Sequence, residues 1–290
     1  MDFAKFLNKY NLTNYPVGFN GCRTSSHNFD ICDYDITVFD NKSDPDIILP
    51  FENDLIHFHH GSFKDTKSKT LLLYHDMKII QDASWDLKTF LSQIREKKSH
   101  LFHDFAKNCL LDSLFSCKKC LDGIHTDIFA PCWQKCASFY LSEAICALNQ
   151  KTPSPSHMLD WMRIFEKNPI NEMLGIFNET IGIERATPTL LERMLKSTIG
   201  FSGLVEKNNH NQVIEKKYNF FINNSMFSDC YFYLGFINKE IFVKIPNITN
   251  QPDLIYVLRT AMDVESDPLL LKQYAESIQK ACNQLITRLF

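Results

Sequence analysis

Long apolar runs are missing from this chain. No stretch approaches the roughly eighteen consecutive apolar residues that a membrane-crossing helix needs. A surplus of positive charge is missing as well: 31 Lys and Arg stand against 34 Asp and Glu, a net charge of −3, so no global basic field draws in nucleic acid. The opening MDFAKFLNKYNL carries an acid at position two and no apolar stretch of signal-peptide length. No repeat or low-complexity linker interrupts the chain. These absences lead to the expectation of a soluble, cytoplasmic protein with no membrane partner, for which a small molecule or a protein is favoured over long RNA or DNA.

What is present points to an ordered protein. With 290 residues, 44% hydrophobic and 22% charged, the chain can bury a sizeable core and has room for two domains. Ten cysteines without a secretory signal read as reduced thiols. Cys117-x-x-Cys120 and Cys132-x-x-x-Cys136 could offer four thiolates to zinc, but both pairs lie in segments of helical period, where cysteine serves as a small buried apolar residue. The second reading is the stronger.

Periodicity places a short helix over residues 2–10, with Phe3, Phe6, Leu7 and Tyr10 as its apolar stripe. A strand follows over 17–20, then a polar run that reads as short helix or loop, then a strand from Asp33 to Phe39. DIILPF and DLIHFHHGSF read as two more strands around Glu52-Asn53-Asp54. LLLYHDMKIIQD reads as a hairpin turning near Asp76-Met77. Ser84 is the expected cap of one long helix that begins near Trp85 and continues until Gly123 breaks it. Helices are expected over 127–149, 156–167, 169–181 and 187–199, with Gly200 and Gly203 as a break, and again over 210–245, 251–263 and 267–289.

The chemistry concentrates in Val17 to Phe39. Asp33 and Asp35 are one residue apart at the start of an apolar alternation, so on a strand they would point the same way. Two like charges held that close call for a cation, and Mg²⁺ favours one or two carboxylates plus substrate phosphates. Gly21 lets backbone amides approach an anion. The bland alternative is a turn with an Asx cap. His57 and His59 share one face of their strand, a spacing that can hold a transition metal; a polar outer face of an edge strand is the preferred reading, and His57 standing near the site in place of an acid is a third.

The Gly21-Cys22-Arg23 turn followed by Asp33-x-Asp35 resembles the nucleotidyltransferases of the DNA polymerase β superfamily, of the minimal and aminoglycoside type, over about the first hundred residues. The resemblance implies an α+β fold: a small mixed-sheet nucleotidyltransferase domain over 1–84 and an all-α helical domain over 85–290. It implies Mg²⁺ (or Mn²⁺) on Asp33 and Asp35, a third carboxylate at Asp54 with Asp76 as runner-up, and an NTP, ATP favoured, bound over Gly21, Cys22 and Arg23. It also places Tyr140 and Glu143 beside an acceptor pocket. The implied reaction moves an NMP from the NTP to an acceptor hydroxyl and releases pyrophosphate. Cys22 stands where the family usually carries Ser, and a thiol is a weaker donor. The alternative is therefore a catalytically degenerate nucleotide-binding protein, or a toxin/antitoxin-type interaction protein, and a plain helical scaffold comes third. Self-association into a homo-oligomer stays open.

Overall fold

Asp2 caps the first helix by accepting the Lys5 amide at 3.0 Å, which satisfies one of the free donors of a helix start. The helix it caps, α1 (Phe3–Lys9), turns Phe6 and Leu7 inward. The computed structural model describes residues 1–25, 28–52, 54–205 and 210–289. The architecture is α+β, a small mixed five-stranded sheet followed by a helical region. The polar segment after Gly21 and the break before Asp54 lie partly outside the described residues.

Five strands make the sheet: β1 (Val17–Asn20), β2 (Tyr34–Val38), β3 (Ile47–Phe51), β4 (Asp54–His60) and β5 (Lys78–Gln81), in the order β3-β4-β2-β1-β5. β1 runs antiparallel to β2, with Asn20 opposite Asp35 and Gly18 opposite Thr37. β2 and β4 are parallel, with Asp35 opposite His57 and Thr37 opposite His59. Side chains alternate across each strand, and the two faces differ accordingly. Val17, Ile36, Val38, Phe51, Ile56 and Phe58 pack with Phe6 and Leu7 of α1 into one apolar cluster. The opposite face carries Asn20, Asp35, Thr37, His57 and His59.

α2 (Ser68–Tyr74) replaces the first arm of the expected hairpin, and only β5 pairs, with the open edge of β1. A short apolar run such as LLLY suits helix or strand equally, and the available sheet edge takes a single strand. α2 and α3 (Asp86–Glu96) lie at the Phe39 end of the polar face, where the Phe39 ring meets Phe63, Tyr74 and Phe90. Ser84 does not cap α3. Trp85 holds the cap position in a left-handed conformation, and Asp82 accepts the Lys88 amide at 2.8 Å. Arg95 donates to the carbonyls of His75 and Met77. Met1–Phe102 with Asn208–Val213 thus form one unit, which reaches beyond residue 84, and His103–Lys207 with Ile214–Phe290 form the other.

The second unit is helical: the greater part of α4 (Lys98–Gly123), then α5 (Ala130–Leu148), α6 (Met158–Ile164), α7 (Leu174–Ile181), α8 (Pro188–Val205), most of α9 (His210–Asn223), α10 (Phe227–Phe242), α11 (Leu254–Ala261) and α12 (Pro268–Leu289). α5 and α10 are buried nearly all round, so their sequences show no clean stripe. α8 runs through Gly200 and Gly203 without a break. Leu191, Met194, Thr198 and Phe201 are buried at helical spacing on it, and that burial outweighs the cost of about 1 kcal/mol that a mid-helix Gly carries. No described helix is long and apolar enough to cross a membrane.

The four cysteines considered as zinc ligands separate into the core. All four are fully buried. Cys132 and Cys136 pack with Phe129, Phe201 and Phe242, and Cys120 packs with Ala130 and Ala275. Among the described residues they form no group with metal-ligand spacing.

Candidate functional site

The parallel pairing of β2 and β4 creates the site. It sets Asp35 beside His57, and the two-residue period of β4 brings His59 to the same face. His57 Nδ1 and His59 Nε2 each lie 3.6 Å from the same oxygen, Asp35 Oδ1. One ligand atom from each of the three residues falls within 4.8 Å of the other two. Their side chains are 20% to 24% exposed, so they are held by the sheet yet reachable. On the far side of His59, its Nδ1 stands 3.1 Å from Asp46 Oδ2, just before β3. The His57 ring packs 4.1 Å from that of His59 and edge-on at 5.2 Å to that of His210.

Charge follows from this geometry. Burial pushes the His59 imidazole down from its ordinary 6.5, but the carboxylates of Asp35 and Asp46 outweigh that effect and lift it to about 9. The two carboxylates thus favour the protonated His59 ring, and a cation bound by Asp35 would compete for the same nitrogens.

Gly21 completes the wall. It closes β1 at φ 79 and ψ −169, a region essentially reserved for glycine. A Cβ there would lie 1.9 Å from Asp35 Oδ2, so the bend and the carboxylate occupy their places only because position 21 has no side chain. Gly21→Ala is expected to cost about 2–5 kcal/mol from backbone strain and overlap together. Urea midpoints of the two proteins check this, and an unchanged midpoint would refute the close seating of Gly21 on Asp35.

The structure brings together some of the expected residues and separates others. Gly21 and Asp35 meet. Asp33 precedes β2, is 5% exposed and falls outside the group formed by Asp35, His57 and His59. Asp54 shares the parity of Ile56 and Phe58 and therefore belongs to the opposite face of the sheet. There it pairs with Arg23 at 3.9 Å. Arg23 itself lies over the Tyr34 ring at 4.2 Å and donates to the carbonyls of Cys32 and Asp30. Its guanidinium is engaged in holding the loop that leads into β2. Cys22 opens a single 3₁₀ turn, and its carbonyl accepts from Ser25. Asp76 is exposed at the end of α2 and pairs with His75 at 2.8 Å. In the second unit Glu143 is 2% exposed and forms a buried ion pair with Lys239, so it is a packing element, with Tyr140 against the same ammonium at 3.9 Å.

Asp46 and His210 escaped the sequence reading. Asp46 opens the DIILPF segment with no motif to mark it, and only the antiparallel register of β3 on β4, with Ile48 opposite His57, carries it to His59. No protein-family model matches this chain, and none of the curated proteins compared with it does.

Proposed function

We propose that the first unit performs nucleotidyl transfer of the DNA polymerase β type, moving an NMP from an NTP, ATP favoured, to an acceptor hydroxyl with release of pyrophosphate. The observation that supports this reading is the seating of the Gly21 bend directly against the Asp35 carboxylate. A glycine bend over which phosphates can lie then faces an acid that can serve their counter-ion. Asp35 lies on a strand whose parallel neighbour supplies His57 at the opposing position, and in this reading those two residues border the reacting phosphate. A small molecule or a protein is the favoured acceptor, since the net charge of −3 gives nucleic acid no general attraction.

The magnesium that the resemblance implies fits these residues poorly. Mg²⁺ takes oxygen donors in near-ideal octahedral geometry, whereas the donors gathered at Asp35 include two imidazole nitrogens and neither Asp33 nor Asp54. Mn²⁺ accepts such a mixed set more readily.

A second reading, nucleotide binding without turnover, is favoured by one observation: Arg23 is committed to backbone carbonyls, Tyr34 and Asp54, which leaves a phosphate with less cationic help. The two separate in one assay. With α-labelled NTP, Mn²⁺ or Mg²⁺ and cell extract as the acceptor source, label transfer should fall by about a hundredfold or more in Asp35→Asn. Full transfer by that variant refutes the enzymatic reading. Binding of NTP without label transfer or pyrophosphate release selects the second, and absence of binding removes both.

A further inference from the structure

We infer that Asp35, His57 and His59 form a site for one divalent transition-metal ion, in the class of Mn²⁺, Co²⁺ and Zn²⁺, with Asp46 as the carboxylate that orients His59. The distances are the first support. Both imidazole nitrogens stand 3.6 Å from Asp35 Oδ1, which is beyond the usual N–H···O range. Two donors that each sit about 2.1 Å from one tetrahedral ion are separated by about 3.4 Å. Two of the three donor separations thus match ligands around a shared centre, the third lies within 4.8 Å, and the same contacts hold the groups together as ion pairs until a cation takes the protons' place. The second support is Asp46: its Oδ2 lies 3.1 Å from the ring nitrogen of His59 that does not face Asp35. Metal-bound imidazoles are characteristically steadied in this way, because the outer carboxylate sets the tautomer and raises ligand basicity. The third is the donor chemistry. Two imidazoles and one carboxylate favour first-row transition ions over Mg²⁺ and leave coordination positions open for water or a phosphate oxygen.

This inference deepens the nucleotidyl-transfer reading by naming its cation, but metal binding is measured without nucleotide, so each can fail while the other stands. The experiment uses the full chain without a histidine tag, stripped with a chelator and titrated with Co²⁺, then Zn²⁺, under reducing conditions. One equivalent of Co²⁺ should bind and give visible ligand-field bands without the near-ultraviolet charge-transfer bands of thiolate ligands. Zn²⁺ should displace it, and Mg²⁺ in about thousandfold excess should not. Asp46→Asn should weaken binding roughly 10–100-fold. His57→Ala, His59→Gln and Asp35→Asn should weaken it further, each checked for an unchanged circular dichroism spectrum; if His57→Ala unfolds, Asp46→Asn and His59→Gln carry the test. Absence of Co²⁺ binding overturns the site. So do thiolate bands, displacement of the ion by Mg²⁺, or wild-type affinity in the folded variants.

Discussion

Held under reducing conditions, the helical unit is expected to unfold near pH 10, well below the pH at which its buried groups would ionise in place. Seven thiols carry this effect. Burial pushes Cys120, Cys136 and Cys230 up to about 12 and Cys282 to about 11, and it raises Cys117, Cys132 and Cys146 as well, all from an ordinary value of 9.0. The folded protein keeps these protons while the unfolded chain loses them. Their contribution is therefore intact below pH 9 and declines as pH rises toward the folded values. At pH 10 each thiol costs on the order of 1 kcal/mol, so seven together remove several kcal/mol, up to about 10. That matches the entire stability of a typical domain, about 5–15 kcal/mol.

One buried group acts in the opposite direction. Burial lowers Lys135 from 10.5 to about 8, so above pH 8 its folded form sheds a proton that the unfolded form retains. Stability from this lysine increases by about 3 kcal/mol up to pH 10.5. Seven thiols against one amine leave the balance with the thiols. Denaturant midpoints taken from pH 8 to 11 check the expectation, and replacing Cys132 and Cys136 by Ala and Cys146 by Val should flatten the alkaline slope. A chain still fully folded at pH 11 would contradict it.

The second large effect concerns the pair Lys239–Glu143. Lys239 is wholly buried, with Nζ on Glu143, 2.7 Å from Glu240 and 3.9 Å from the Tyr140 ring. Burial by itself would discharge the ammonium, yet Glu143 and Glu240 more than offset it and raise Lys239 above its ordinary value. Lys239→Met deletes that charge and leaves Glu143, 2% exposed, without its cation. The expected loss is about 3–5 kcal/mol. Lys239→Met with Glu143→Leu should recover most of it, because two apolar side chains replace two desolvated charges. Urea unfolding of the three proteins tests this. A single-variant loss under about 1 kcal/mol would mean that the carboxylate reaches another partner.

Much of the site was legible because it rests on local rules. The alternation in YDITV and in HFHH assigns each side chain to a face whatever the strand's neighbours, so His57 with His59 was visible as a pair. The glycine at position 21 was visible as a bend. The partner of Asp35 was not. Asp54 and His57 lie three residues apart on one strand, and only the pairing of β2 with β4 decides that the histidine, and not the acid, stands beside Asp35. Asp33 illustrates the same limit. Its spacing from Asp35 would align the two on a strand, but β2 begins at Tyr34 and the pleat does not extend to it.

The sequence by itself determined the strands over 17–20, 33–39 and on either side of Glu52, the apolar stripe of α1, the helical character of the later chain and the burial of its cysteines, since each follows from backbone periodicity and side-chain solvation within a few residues. The tertiary structure alone decided that LLLY forms a helix, that α8 passes through two glycines, and that Asp35, His57, His59 and Asp46 converge. Those outcomes depend on strand register and on apolar burial between segments far apart in the chain, and such energies have no local signature.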